Sequence, residues 1–263
     1  MLEIYQYVLL GIIQGITEWL PISSSGMLTL VMTNFFNITN LSVLLQQSLF
    51  LHLGTFLAAL VYFREDVAKI ILSIFDKKRQ EHRKILKFLI ISTAITGILG
   101  LAIMFLLGEI GSLTGKTITF GIGILLLVTA GMQFSVRKRG TKNANDIKTK
   151  NSVLAGLAQG FAALPGVSRS GMTVSTLLLN KFDDATALRL SFLMSLPVIL
   201  LGNILLNLQD LAIVFSIEIL YGVLFAFVAG IVTIHLLITL ARKINFAWFA
   251  LIFGILMMLS ILF

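Results

Sequence analysis

The chain contains no cysteine, which excludes disulfides, thiolate metal sites and a cysteine nucleophile. Charge is scarce too: 12% of its 263 residues are Asp, Glu, Lys or Arg, roughly half the share found in a soluble domain. Carboxylates are the rarer sign, with 12 Asp and Glu against 20 Lys and Arg. The opening stretch MLEIYQYVLL has no basic n-region, and its one charge is a glutamate, so a cleaved signal peptide is not expected. The bulk of the chain is apolar: 57% hydrophobic, with a mean hydropathy of +0.99. Apolar runs of this length exclude a water-soluble globule and fit segments that cross a hydrocarbon core about 30 Å thick. They are continuous rather than alternating, as in 88–108, which excludes a transmembrane β-barrel. A net charge of +8 would suggest nucleic acid only on a soluble fold with a basic face. Here the basic residues lie between apolar spans, and no nucleic-acid partner is expected.

Six segments are long enough to cross: 41–63, 88–108, 117–136, 190–209, 219–241 and 244–263. Two others are interrupted, 4–38 by PISSSG and 151–180 by LPGVSRSG. Lys and Arg concentrate in four connections, eight in 64–87, six in 137–150, two in 181–189 and two in 242–243. The positive-inside rule puts those four in the cytoplasm of a multi-pass protein of the cell membrane. Residues 151–180 start and finish on one side, yet each half has about 14 residues, roughly 21 Å of helix and too short to span. The expectation is a re-entrant hairpin entering from the cytoplasm, and by the same count 4–38 enters from outside. The fold class is therefore an all-α integral membrane protein, six transmembrane helices plus two re-entrant helical hairpins, in a single membrane domain over 1–263.

At an offset of 145, GIIQGITEWLPISSSGM and GLAQGFAALPGVSRSGM match at seven of 17 positions. Three crossings separate the copies, so the repeats, approximately 1–136 and 146–263, are inverted. Interrupted segments at matching places of inverted repeats point to a ligand site near the bilayer midplane. Irregular backbone at that depth must be buried in protein or line a wet cavity, and a polar ligand is expected there.

Glu18 is the one acidic residue well inside an apolar segment, and an intramembrane carboxylate is a functional candidate by default. Gln14 is one turn earlier on the same face. The two can offer oxygen ligands to Mg²⁺ or Ca²⁺, with waters or ligand phosphates completing the shell. Ser23, Ser24, Ser25 and Gly26 can open a helix whose N–H groups and hydroxyls face the break. In the second copy Pro165 and Gly166 end one helix, and Ser168, Arg169, Ser170 and Thr173 open the next. A helix N-terminus with hydroxyls and a guanidinium fork is an anion site; a purely stabilising Arg169–Glu18 salt bridge is the competing reading. His52, near the middle of its span, is either a base or a hydrogen-bonded structural histidine. His235 reads as interfacial, His82 as solvated, and Trp19 and Trp248 as packing or interfacial residues.

These motifs resemble the undecaprenyl-diphosphate phosphatase family of the bacitracin-resistance type. The first motif of that family is similar to Gln14, Glu18, Pro21, Ser23, Ser24, Ser25 and Gly26. Its second, Pro-Gly-x-Ser-Arg-Ser-Gly-x-Thr, is met in full by Pro165, Gly166, Ser168, Arg169, Ser170, Gly171 and Thr173. Similarity continues through LHLGTFLAALVYFRED and LSFLMSLPVIL, covering essentially the whole chain. The resemblance implies hydrolysis of a polyprenyl diphosphate lipid to the monophosphate, which recycles the carrier of cell-wall or glycan synthesis. It implies that Glu18 binds the divalent cation or moves a proton, that Ser24 is the nucleophile, and that Arg169 with Ser168, Ser170 and Thr173 clamps the diphosphate.

Many family members carry a histidine where this chain has Met27. Either Glu18 serves as base, or His52 reaches in from its own span, or phosphatase activity is weak. The alternative function is a transporter or flippase of polyprenyl phosphate or a similar amphipathic anion, which would expose the site to each side in turn. Gly97, Gly100, Gly121 and Gly123 allow close helix packing within one chain or in a homodimer.

Overall fold

The computed structural model describes residues 2–38, 40–109, 115–135, 140–164, 167–207, 216–240 and 247–259. Among the described residues there are α-helices, one 3₁₀ turn at Ala144–Asp146 and no strand. Both interruptions are real breaks between helices. The first lies between α1 (Ile4–Thr17) and α2 (Ser24–Phe36), the second between α7 (Thr149–Phe161) and α8 (Arg169–Leu179). None of these four helices exceeds 14 residues, about 21 Å at 1.5 Å per residue. The longer helices are α3 (Leu41–Tyr62), α5 (Gln80–Glu109), α6 (Gly115–Phe134), α9 (Asp184–Asn207) and α10 (Ile217–Leu240). A short α4 (Arg64–Leu72) follows α3, and α11 (Ala247–Leu259) comes last among the described residues.

Three helices, α5, α9 and α10, contain stretches long and apolar enough to cross a bilayer, Gln80–Leu106, Asp184–Leu205 and Ile217–Leu240. Their outer faces expose Ile98, Phe105, Leu205, Val228 and Leu236, an apolar exterior that suits lipid and not water. The chain is a membrane protein. Two helices start well before the apolar runs do: α5 at Gln80 and α9 at Asp184. Hydropathy marks the part of a helix facing lipid, whereas hydrogen bonding sets its end. At α9 that end is fixed by Asp183, whose carboxylate accepts from the Thr186 N–H at 3.0 Å and its hydroxyl at 2.7 Å.

The helices pack through glycines at matched places in the two halves. In α1, a Cβ on Gly11 would lie 2.2 Å from the Gly222 carbonyl oxygen of α10. In α7, a Cβ on Gly156 would lie 2.8 Å from the Ser92 carbonyl oxygen of α5. Thus α1 packs on α10 as α7 packs on α5, while α3 crosses α9 and α6 pairs with α11. The main core gathers Trp19, Phe63, Phe88, Phe182 and Phe192, directly behind the two breaks.

The described basic connections meet at one end. Arg189 binds Asp66 and Glu81, Lys84 donates to the Asn145 carbonyl, and the Lys142 N–H donates to the Lys181 carbonyl. These contacts join 64–87, 140–150 and 181–189 into one polar cap.

Candidate active site

Each break ends on a serine that starts the next helix. The Ser23 hydroxyl accepts from the Gly26 N–H at 3.2 Å, and that of Ser168 from the Gly171 N–H at 3.1 Å. Both fit the preference for a small polar N-cap, which satisfies an otherwise unpaired N–H. Ser23 lies 3.3 Å from the Ser25 hydroxyl, and Ser168 the same distance from that of Ser170. The breaks are fastened together by Ser170, whose hydroxyl donates to the Leu20 carbonyl at 2.7 Å.

Glu18 follows the last turn of α1 and is buried, as are Gln14 and Ser24. Its Oε2 receives the Ser24 hydroxyl at 2.6 Å and the Gln14 amide N–H at 3.0 Å, with His52 Nε2 at 3.1 Å. Its Oε1 receives Arg169 Nη2 at 2.5 Å. Four side chains from α1, α2, α3 and α8 thus converge on one carboxylate. A buried anion needs such company, because desolvation without hydrogen bonds and a countercharge costs several kcal/mol.

The His52 ring is held from behind: Nδ1 lies 2.6 Å from the Ser48 carbonyl oxygen. A carbonyl only accepts, so Nδ1 carries a hydrogen and Nε2 is the nitrogen that gains or loses a proton beside Glu18. Arg169 is held on three sides. Besides Glu18 it meets the Ser191 carbonyl through Nη1 at 3.4 Å, and its Cζ sits 5.6 Å from the centroid of the Trp19 ring. Phe192 stacks edge-on against Trp19, centroids 4.9 Å apart.

Gln14, Glu18, Ser24, His52 and Arg169 therefore come together. Ser23, Ser25, Ser168, Ser170 and Thr173 line the helix starts around them, largely engaged with backbone; Thr173 donates to the Arg169 carbonyl at 2.9 Å and lies 2.6 Å from the Ser191 hydroxyl. Gly166 lies outside the described residues. Met27 packs toward Leu126 with Leu30 and Phe253. The competing reading of Arg169, a salt bridge to Glu18, names a contact that exists; what it leaves out is the Ser24 hydroxyl on the same carboxylate. Trp19 does pack in the core, and it is also the platform under the guanidinium. Ser48, Ser191 and the Leu20 carbonyl were not legible as site groups, since nothing in their local sequence separates them from other small or apolar residues of a membrane helix.

A family model described as bacitracin resistance protein BacA matches residues 7–259. The chain belongs to the BacA family. This BacA-family chain is 44% identical over 265 residues to an undecaprenyl-diphosphatase of Methanococcoides burtonii, covering 99% of each chain. It is 36% identical to the undecaprenyl-diphosphatase of Methanothrix thermoacetophila, covering 96% of this chain and 95% of the relative. It is 38% identical to that of Syntrophotalea carbinolica, covering 90% and 89%.

The donor set of this BacA-family site suits a hard divalent cation in part. The Gln14 Oε1 is a buried acceptor with no hydrogen-bond partner, an oxygen that could serve as a ligand. Among the described residues no group of three or more His, Asp or Glu side chains could cage a metal. A cation here would take one amide oxygen and one carboxylate and complete its shell with water and phosphate oxygens, the usual habit of Mg²⁺.

Proposed function

We propose that this chain is a membrane phosphatase that hydrolyses undecaprenyl diphosphate, or a polyprenyl diphosphate like it, to the monophosphate and inorganic phosphate. The observation that carries this is the meeting of the Ser24 hydroxyl and the Arg169 guanidinium on the two oxygens of buried Glu18. A hydroxyl 2.6 Å from a carboxylate oxygen has a proton acceptor in hand. Arg169 spends two N–H groups on Glu18 and Ser191, so the rest of its fork is free for phosphate oxygens.

In the first step Ser24 Oγ bonds the terminal phosphorus, its proton passes to Glu18 Oε2, and the bridging P–O bond breaks with its electron pair leaving on the polyprenyl monophosphate. Water then attacks the phosphoserine phosphorus and the bond to Ser24 Oγ breaks; one proton of the water stays on the released phosphate, the other restores the Ser24 hydroxyl, and the proton left on Glu18 departs through His52. Phosphoryl transfer demands positioning and charge neutralisation above all, which Arg169 and the N–H groups at the starts of α2 and α8 supply. His52 holds Glu18 Oε2 and can carry its proton onward through Nε2. Mg²⁺ or Ca²⁺, held by Gln14 Oε1 and Glu18, would add neutralisation on the diphosphate oxygens. Ser168, Ser170, Thr173, Ser23, Ser25 and Gly166 shape the substrate pocket.

The topology proposed with this activity is six transmembrane helices, α3, α5, α6, α9, α10 and α11, plus two re-entrant hairpins, α1–α2 and α7–α8, in inverted repeats of 1–136 and 146–263. In its favour, the paired packing of α1 on α10 and α7 on α5 exchanges under the repeat, and the four hairpin helices are too short to span. The polar cap of basic connections supports a multi-pass protein of the cell membrane with 64–87 and 137–150 in the cytoplasm. A homodimer would use the open faces at Gly97 and Gly121, where an added Cβ meets nothing within 4 Å. A carrier has no observation of its own here.

The test is phosphate release from a long-chain polyprenyl diphosphate by the purified protein in detergent, with Mg²⁺, Ca²⁺ or chelator. Release by the wild type, abolished in Ser24→Ala and Arg169→Ala and suppressed by chelator, is expected. Folded wild-type protein that binds the lipid and releases no phosphate would overturn the hydrolase reading and promote the carrier.

A further inference from the structure

At the polar cap, the ends of α3 and α10 and the starts of α4 and α9 enclose a cavity of about 650 Å³. Its lining is amphipathic: Arg64, Lys69 and Arg189 with the carboxylates of Glu65 and Asp66, and the aliphatic Val61, Ile231 and Ile238. The cations are not equally committed. Arg189 is taken by Asp66 and Glu81, and Lys69 lies 3.6 Å from Glu65. Arg64 pairs with no carboxylate among the described residues, so its guanidinium is available to an outside anion.

A second observation sets the depth of this cavity. Past Arg64, the end of α4 and the turn after it expose Ile71, Leu72, Ile74 and Phe75, the last at 84%, and Lys77, Lys78 and Arg79 follow at once. An apolar stretch open to the outside and backed by lysines is the pattern of a segment lying in the headgroup and acyl boundary. The free guanidinium and the aliphatic wall therefore stand where lipid phosphates and upper acyl chains are found.

We propose that this cavity binds the headgroup of an anionic phospholipid, with Arg64 on the phosphodiester and the acyl chains descending along Val61, Ile231 and Ile238. Basic pockets between membrane helices at the charged interface recognise anionic headgroups in this way. None of these side chains is among those that meet at Glu18, so the site stands or falls apart from the hydrolase reading.

The experiment uses the full chain in vesicles of phosphatidylcholine alone, or of equal parts phosphatidylcholine and phosphatidylglycerol. Lipid retained after mild detergent extraction is read by native mass spectrometry. Wild-type protein is expected to retain phosphatidylglycerol over phosphatidylcholine. Arg64→Gln should reduce that retention roughly fivefold, the effect of one basic residue near an anionic surface. Ala185→Trp, at an exposed position in the lining, should reduce it comparably by filling the cavity while leaving every charge in place. The double change Lys77→Gln with Lys78→Gln, which removes more charge outside the cavity, should leave retention near wild type. Equal retention of both lipids, an undiminished Arg64→Gln, or a lysine pair that matters as much as Arg64 would each overturn the proposal. So would displacement of the lipid by free inorganic phosphate, which would make the site one for the soluble ion.

Discussion

Replacing Glu18 by Gln separates two roles of one carboxylate. The amide is nearly isosteric, but it must place an NH₂ either against Arg169 or among Gln14, Ser24 and His52, of which Gln14 and Ser24 donate to that carboxylate as it stands. Glu18 is 7% exposed, while the Arg169 side chain is 16% exposed. Losing one partner of a buried ion pair costs about 3–5 kcal/mol, and the partial access of Arg169 puts the expected loss of stability near the lower figure. Phosphate release should fall further, since a positioned proton acceptor contributes roughly a hundred- to ten-thousandfold. The double change Glu18→Gln with Arg169→Gln removes the uncompensated cation as well. It should recover most of the lost thermal stability and none of the activity. Thermal unfolding in detergent and phosphate release, measured on wild type, both single variants and the double, complete a mutant cycle. Glu18→Gln retaining activity to within a factor of a few would refute the role of this carboxylate in proton transfer. A double variant no more stable than Glu18→Gln would refute the charge argument.

Other positions follow from the same geometry. His52→Ala, which removes the ring between Ser48 and Glu18, should lower kcat by roughly ten- to a hundredfold with little change in KM; an unchanged kcat would return His52 to a structural role. Trp19→Phe keeps an aromatic face under Arg169 and discards a buried N–H that has no partner, so activity and stability should hold. Trp19→Leu removes the ring, and KM should rise roughly tenfold, the scale of a desolvated cation–π contact. Equal behaviour of the two variants in the phosphate-release assay would refute the platform. Gly11→Ala should lower the unfolding temperature sharply, because its Cβ would meet the Gly222 backbone, whereas Gly97→Ala, with open space around it, should not.

Much of the site can be read along the chain because lipid makes polar residues expensive. A carboxylate at 18 and a guanidinium at 169 stand out against apolar surroundings, and serine with glycine marks each helix restart. The two breaks follow from proline, glycine and serine chemistry, which acts locally, and their helices begin where those residues predict. Helix ends are less legible. The polar residues at 80–87 look like a loop, yet they extend α5, because a helix leaving the membrane keeps its hydrogen bonds in water.

By itself, then, the sequence determined the class of the protein, an all-helical membrane chain, and the identity of its two buried charges. Both depend on composition and local pattern, which transfer cost and backbone preference act upon residue by residue. Which groups meet was decided only by the tertiary structure. His52 comes to Glu18 from α3, Trp19 supports Arg169 from across the two halves, and Met27 turns toward α6. These contacts depend on the rotation and crossing of helices far apart in the chain. A crossing as close as that of Gly11 against Gly222 is set by packing between surfaces, and periodicity within one helix carries no record of it.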